Sequence, residues 1–260
     1  MDIYLIRPQS VGPMRRVGSR NDGGYVIPQN LPKFNTCITF GLGDDWSFER
    51  ELLKKGCINK FISYDHTVSL KSLIHRTTRR LKLRNFSLHA LAYRVLILCR
   101  YFRDFKAKKY VHVMKEITEL ENTNEKTNLL EVAKDLIDSQ FMLKVDIEGG
   151  EYNLIYQILE LSARIPLLII EFHDTEFMRN KFEDSITKLL KHYVICHTHA
   201  NNFESLSGDG IPIAVEITFG RRDVYKGERE IDSLPIFALD APSAPERKDH
   251  AISFTRTPNP

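Results

Sequence analysis

Short apolar runs recur along the chain and alternate with stretches of helical periodicity. Thr36-Cys37-Ile38-Thr39-Phe40 predicts a buried strand that stops at Gly41-Leu42-Gly43, and residues 44–53 then take on helical character. Further strands are predicted over 60–64, 110–114, 141–145, 167–170, 193–196 and 213–219. Helices are predicted over 129–137, with Asn128 as N-cap, over 151–161 and over 182–191. Residues 1–35 read as irregular, punctuated by Pro8, Pro13, Pro28 and Pro32. Within them Asn21-Asp22-Gly23-Gly24 is a hairpin corner leading into Tyr25-Val26-Ile27. Strands this continuously apolar are buried on both faces. Alternating with helices, they imply an α/β fold with a mostly parallel sheet covered on both sides. Ligands in such folds bind beyond the carboxyl ends of the strands. The expected organisation is one domain over 1–240 and an irregular tail over 241–260, in which 251–254 could pair as an edge strand.

Composition alone changes little: 42% apolar and 27% charged residues describe an ordinary globular chain. Charge distribution changes more. The net charge is only +3, yet Lys71 to Lys109 holds twelve Lys or Arg against one acid, Asp104, a local +11. This basic segment, an insertion over 68–109, is helical in pattern. Leu88, Leu91, Val95, Cys99 and Phe102 form an amphipathic stripe in it. Cys37, Cys57, Cys99 and Cys196 are scattered, which argues against a zinc ribbon or a disulfide scaffold and for a reducing compartment. The N-terminus lacks the pattern of a secretory signal, and Leu88 to Phe105, the best apolar stretch, is broken by Arg94, Arg100, Arg103 and Asp104. A cytoplasmic location is expected.

Four sets of residues could carry chemistry, all at strand ends. Gly41-Leu42-Gly43 lets a ligand approach the backbone and frees the following helix N-terminus. The third glycine of a dinucleotide fingerprint is missing, since Trp46 and Ser47 occupy its place. Asp65 ends the next strand at a spacing suited to a ribose-binding carboxylate, or it is a helix N-cap. Together these favour an adenosyl cofactor without a pyrophosphate over NAD. Lys144-Val145-Asp146-Ile147-Glu148-Gly149-Gly150-Glu151 opens a buried strand into three acids; Glu151 could simply serve the next helix N-terminus. Glu171 and His173 share one side of an extended segment, as an acid/base pair or, with Asp146, as part of a metal site. His199, Asn201 and Asn202, followed by Glu216 on the last strand, form a donor-acceptor set for a hydroxyl-rich ligand.

At these residues the sequence resembles the FkbM-type methyltransferases, a branch of the class I S-adenosylmethionine-dependent enzymes. Residues 144–151 match the hallmark K-x-D-x-E-G-x-E, Glu171-Phe172-His173 the following E-x-H element, and Phe40 to Asp45 the cofactor loop. Residues 21–25, 199–202 and 212–218 resemble further segments, so that the likeness spans about residues 20 to 220. The resemblance implies a Rossmann-like, seven-stranded class I methyltransferase fold. It implies S-adenosyl-L-methionine on Gly41, Leu42, Gly43, Asp44, Asp65, His66 and Asp146, and O-methylation of a sugar hydroxyl in a glycan or natural product. His173 would be the base, Glu171 would orient it, and Asp146 would lie near the methyl group. Glu148, His199, Asn201, Asn202 and Glu216 would face the acceptor. A divalent metal on Asp146, Glu171 and His173 is a secondary expectation, not favoured.

The basic insertion lies outside the resemblance. It is expected to be a lid that packs its apolar stripe on the domain and leaves a solvated basic face. That face could line the site of an anionic glycan or touch an anionic membrane. Nucleic acid ranks below these, because Tyr93, Tyr101 and Phe102 make no stacking pattern. A Rossmann-like cofactor-binding protein without catalysis is the alternative from a different class.

Overall fold

The predicted apolar runs pair into a single seven-stranded sheet in the computed structural model, which describes residues 2–81, 88–136 and 140–255. Its strands are β1 (Thr36–Phe40), β2 (Lys60–Tyr64), β3 (Tyr110–Val113), β4 (Phe141–Val145), β5 (Leu167–Phe172), β6 (Tyr193–Ala200) and β7 (Val215–Arg221). Their order is β3-β2-β1-β4-β5-β7-β6, and only β7 runs antiparallel to its neighbours. This is the Rossmann-like class I methyltransferase architecture. The order reverses between β1 and β4, where such sheets open a crevice for ligand.

Alternation along the strands supplies two apolar layers. Phe40, Leu143, Ile170 and Phe172 point to one face. There they meet α5 (Ile155–Glu160) and α6 (Arg179–Leu189) through residues such as Ile158, Phe182 and Ile186. Cys37, Met142 and Ile169 point to the other, against Phe48 and Leu52 of α1 (Ser47–Lys54) and the N-terminal hairpin residues Val17, Tyr25 and Ile27. That hairpin, Met14–Gly18 with Gly24–Pro28, turns at the predicted corner and gives order to a segment read as irregular.

The other departures have local causes. Helix α4 (Leu129–Lys134) is capped as expected by Asn128, whose Oδ1 accepts from the Glu131 N–H at 3.0 Å; the predicted end, Ile137, lies outside the described residues. Glu151–Leu154 is a 3-10 turn leading into α5 rather than a helical first turn. Strand β6 runs on past its predicted end at Cys196 through His197-Thr198-His199-Ala200, with a bulge between Ile195 and His197, so those histidines are part of the strand itself. The tail packs onto the domain. Ile252–Ser253 pairs with Ser233–Leu234, close to the predicted edge strand, and Phe254 is buried. Residues 256–260 of the tail lie outside the described residues.

The basic insertion is a hairpin of α2 (Leu70–Leu81) and α3 (Leu88–Asp104), with 82–87 outside the described residues. Its packing reverses the expectation. Leu88, Val95, Cys99 and Phe102 of the apolar stripe are exposed, and the inward face carries Arg94, Ile97, Tyr101 and Asp104. Specific partners on the domain decide this. Asp104 accepts from the Trp46 indole at 3.0 Å and pairs with Arg50 at 3.2 Å. Tyr101 and Phe105 pack edge-on to Trp46. Arg94 pairs with Asp44 of the glycine loop, as does Arg76 of α2.

Candidate active site

Register builds the site. Phe40 of β1 lies beside Val145 of β4, so Gly41 and Asp146 leave the sheet side by side; the Asp146 N–H donates to the Phe40 carbonyl at 2.9 Å. On the next strands Glu171 pairs with Glu216, and Glu216 with His199. Asp146, Glu171, Glu216 and His199 therefore form a row across the carboxyl end of the sheet. Lys144 lies below it, its ammonium 3.3 Å from Asp146 Oδ2 and 4.9 Å from the centre of the Tyr25 ring. Burial opposes the Lys144 charge, but Asp146, Glu49 and Glu171 outweigh it and push the group up, so it stays ionised. Tyr25 also donates to Asp146, at 3.3 Å.

A cleft of about 690 Å³ opens over this row, between the glycine loop and the segments after β4, β5 and β6. Of the residues singled out in the sequence, Gly41, Gly43, Asp65, His66, Asp146, Glu148, Glu171, His173 and Asn201 line it. His173 is one of these lining residues. Its Nδ1 is 2.9 Å from Glu151 Oε1, and its Nε2 faces Glu148 and Glu171 at 3.6 and 3.7 Å. The carboxylate that orients the ring is thus Glu151, not Glu171. Glu151 is wholly buried, and the same oxygen accepts from the N–H groups of Ile147 (3.0 Å) and Gly149 (3.2 Å). Glu171 is held from the other side by Asn201 Nδ2 at 2.7 Å. Glu148 (φ 55°) and Asp174 (φ 53°) hold left-handed backbone in the loops leaving β4 and β5, a strained geometry typical of functional sites.

Proton affinity in the cluster is high. Burial opposes a charged His173, but the Glu151 hydrogen bond and the charges of Glu171, Glu151 and Asp146 raise it to about 10. Burial, then Asp146 and Glu216, push Glu171 well above the carboxylate range. Asp146, Glu171 and His173 each offer a ligand atom within 4.8 Å of the others, a spacing that could hold a cation.

Several expected contacts go elsewhere. Asp65 lines the cleft, but its oxygens are filled by the chain. Oδ2 accepts from Leu42 and Gly43, and Oδ1 from the Thr67 N–H and hydroxyl and from Val68, all within 3.2 Å. It staples the glycine loop to the start of the next segment, as a cap on the residues that follow it. Asp44 is taken by Arg76 and Arg94, and the Leu42 side chain is buried in the core. Asn202 clamps the tail, accepting from the Ala244 N–H at 2.7 Å and donating to the Ala244 carbonyl at 3.1 Å. Glu216 and His199 lie beneath the cleft, outside its lining. His199 is sandwiched between Glu216 (3.4 Å) and Asp249 (3.2 Å). Sequence reasoning missed Asp22, which lines the cleft, and Tyr25. Their signal was the segment Asn21-Asp22-Gly23-Gly24-Tyr25, read as a hairpin corner and as part of the resemblance but given no site role.

The His199 cluster predicts a pH effect. Burial lowers the affinity of His199 for its proton, but Glu216 and Asp249 outweigh that and raise it to about 10. A group raised in the folded state contributes its full stability below its unfolded value, about 6.5, and loses it as pH climbs through the folded value. Thermal melts should therefore show stability falling between pH 7 and about 10, and His199→Gln should flatten that slope. An unchanged slope in the variant would refute the assignment.

No protein-family model and no curated protein matches the sequence. Among solved structures the chain is similar to M. capricolum TrmK in complex with S-adenosyl-homocysteine: 13% identity, TM-score 0.38, 80% of this chain and 69% of that one. It is similar to Streptococcus pneumoniae Sp1610, described as a tRNA (m1A22) methyltransferase, at 12% identity and TM-score 0.34, covering 72% of this chain and 64% of that one. The methyltransferase domain of bacterial CtHen1-CN gives 14% identity and TM-score 0.35, with 72% of this chain and 90% of that one covered. The chain spans about two thirds of the first two proteins. These likenesses are distant, and the fold assignment rests on strand order.

Proposed function

We propose that the protein is an S-adenosyl-L-methionine-dependent O-methyltransferase acting on a sugar hydroxyl, as in a surface polysaccharide. One observation carries the reading. Just beyond β5, one strand from the switch point of the sheet, His173 lines the cleft with Nε2 between Glu148 and Glu171, while a buried carboxylate locks Nδ1. That is the geometry of a general base. The FkbM-like run 144–151 supplies both Asp146 and the locking Glu151.

The glycine loop lets the donor approach the backbone, and the Asp146 carboxylate favours its sulfonium charge. The acceptor oxygen then bonds to the methyl carbon as the carbon–sulfur bond breaks. The hydroxyl proton passes to His173 Nε2, and neutral S-adenosyl-homocysteine leaves. Asn201, Asp22 and Glu148 offer hydrogen bonds to neighbouring hydroxyls, and the exposed Phe203 ring at the rim offers a face to a sugar. The meeting of three ligand atoms favours a second reading, in which a divalent cation on Asp146, Glu171 and His173 activates the hydroxyl. The Lys144 ammonium beside Asp146 counts against it, and full turnover in EDTA would remove it.

Thermal shift tests the cofactor first. At a hundredfold excess over Kd, S-adenosyl-homocysteine should add about 2.7 kcal/mol, raising the melting temperature by roughly 5–10 °C. No shift at saturation would sink the proposal. Mass analysis of a glycan panel after incubation with labelled methyl donor then tests the acceptor.

A further inference from the structure

The outward face of α3 has no partner in the fold. At 100° per residue, Leu88, Val95, Leu96, Cys99 and Phe102 fall within an arc of about 120°, and they extend over roughly 20 Å of helix. Leu88 is 75% exposed, and Val95, Leu96 and Phe102 are each close to 44%. Ile74 of α2 is similarly exposed on the same hairpin. Lys71, where α2 begins, and Arg103, Lys106, Lys108 and Lys109, where α3 ends, are all exposed and stand at one end of this strip. The acid of the segment, Asp104, is buried and paired to Arg50 and Arg103, so the end of the hairpin that carries these cations has no exposed acid among its described residues.

We infer that this face docks on an anionic lipid bilayer, lying in the interface with its apolar strip among the acyl chains and its Lys and Arg at the headgroups. The combination selects this occupant. An apolar strip flanked by cations is what an interfacial helix presents to acidic lipid. A second copy would bring two surfaces of the same strong charge together. A nucleic acid would use the cations but leave Leu88, Val95 and Leu96 without a role. No described helix is long and apolar enough to cross a membrane, in keeping with a helix that lies on one. Because Arg76 and Arg94 tie the hairpin to Asp44, the docked face has a fixed relation to the glycine loop.

Vesicle flotation tests this without cofactor or acceptor, so its outcome is independent of the proposed catalysis. The protein should float with phosphatidylcholine vesicles containing phosphatidylglycerol, stay behind with pure phosphatidylcholine, and release as salt rises. Val95→Asp and Phe102→Asp, at exposed positions, should weaken binding about tenfold or more with an unchanged melting temperature. In a Cys57→Ser background, an environment-sensitive dye on the exposed Cys99 should shift to the blue with anionic vesicles. Equal binding to both vesicle types, undiminished binding of the aspartate variants, or a silent Cys99 dye would overturn the inference. So would RNA binding indifferent to Val95→Asp with no vesicle binding, or a dimer that Phe102→Asp dissociates.

Discussion

His173→Ala is expected to lower methyl transfer by about 10²–10⁴-fold, the usual contribution of a positioned base, while leaving S-adenosyl-homocysteine binding nearly intact. The separation follows from geometry. Nδ1 is engaged by Glu151 below, and Nε2 faces the open cleft, so the ring edge left for chemistry is the one toward the acceptor. The site also predicts a pH profile. A base must be unprotonated, and His173 is raised to about 10, so kcat/KM should climb with pH through the neutral range. The donor's sulfonium opposes the carboxylates that raise it, so kcat at saturating donor should reach its plateau at lower pH. Glu151→Gln separates positioning from chemistry. It keeps a side-chain acceptor but removes a charge that raises His173, so the rising limb should move to lower pH even as the plateau falls. A limb that stays where it was in Glu151→Gln, or turnover indifferent to His173→Ala, would remove His173 as the base.

Much of this site is legible in the sequence because buried parallel strands must end somewhere, and their polar terminators then converge at one edge. Phe40-Gly41, Val145-Asp146 and the run through Glu171 to His173 mark three such ends, and the cleft brings them together. What escaped is the identity of partners distant along the chain. Glu151 reads as an acid at a helix start. In the fold a 3-10 turn curls it back beneath Ile147 and Gly149 to reach His173, 22 residues on. Asn202 and His199 read as ligand contacts, but their partners lie 42 to 50 residues away in the tail. Periodicity also identifies which residues of α3 share a face without saying which face turns inward. That choice belongs to Trp46, Arg50 and Asp44, which are not on the helix.

The glycine loop gives the other large expectation. Gly41→Ala should destabilise the protein by about 3 kcal/mol or more, lowering the melting temperature by roughly 6–12 °C, and should weaken S-adenosyl-homocysteine binding. Two costs combine. Gly41 has φ 86°, where a side chain strains the backbone, and an added Cβ would lie 1.7 Å from the Asp146 carbonyl oxygen. That oxygen cannot give way easily, because the Asp146 N–H is bonded to Phe40 and the next loop is pinned by Glu151. Gly43→Ala is the internal control. Gly43 also has positive φ, 59°, but an added Cβ meets nothing within 4 Å, so only the backbone cost of about 1 kcal/mol applies. The difference between the two variants isolates the close approach of the β1 and β4 loops. Equal melting temperatures for both would mean that this approach is not a constraint. The site would then owe its shape to Asp65, whose carboxylate holds the same loop through the Leu42 and Gly43 N–H groups.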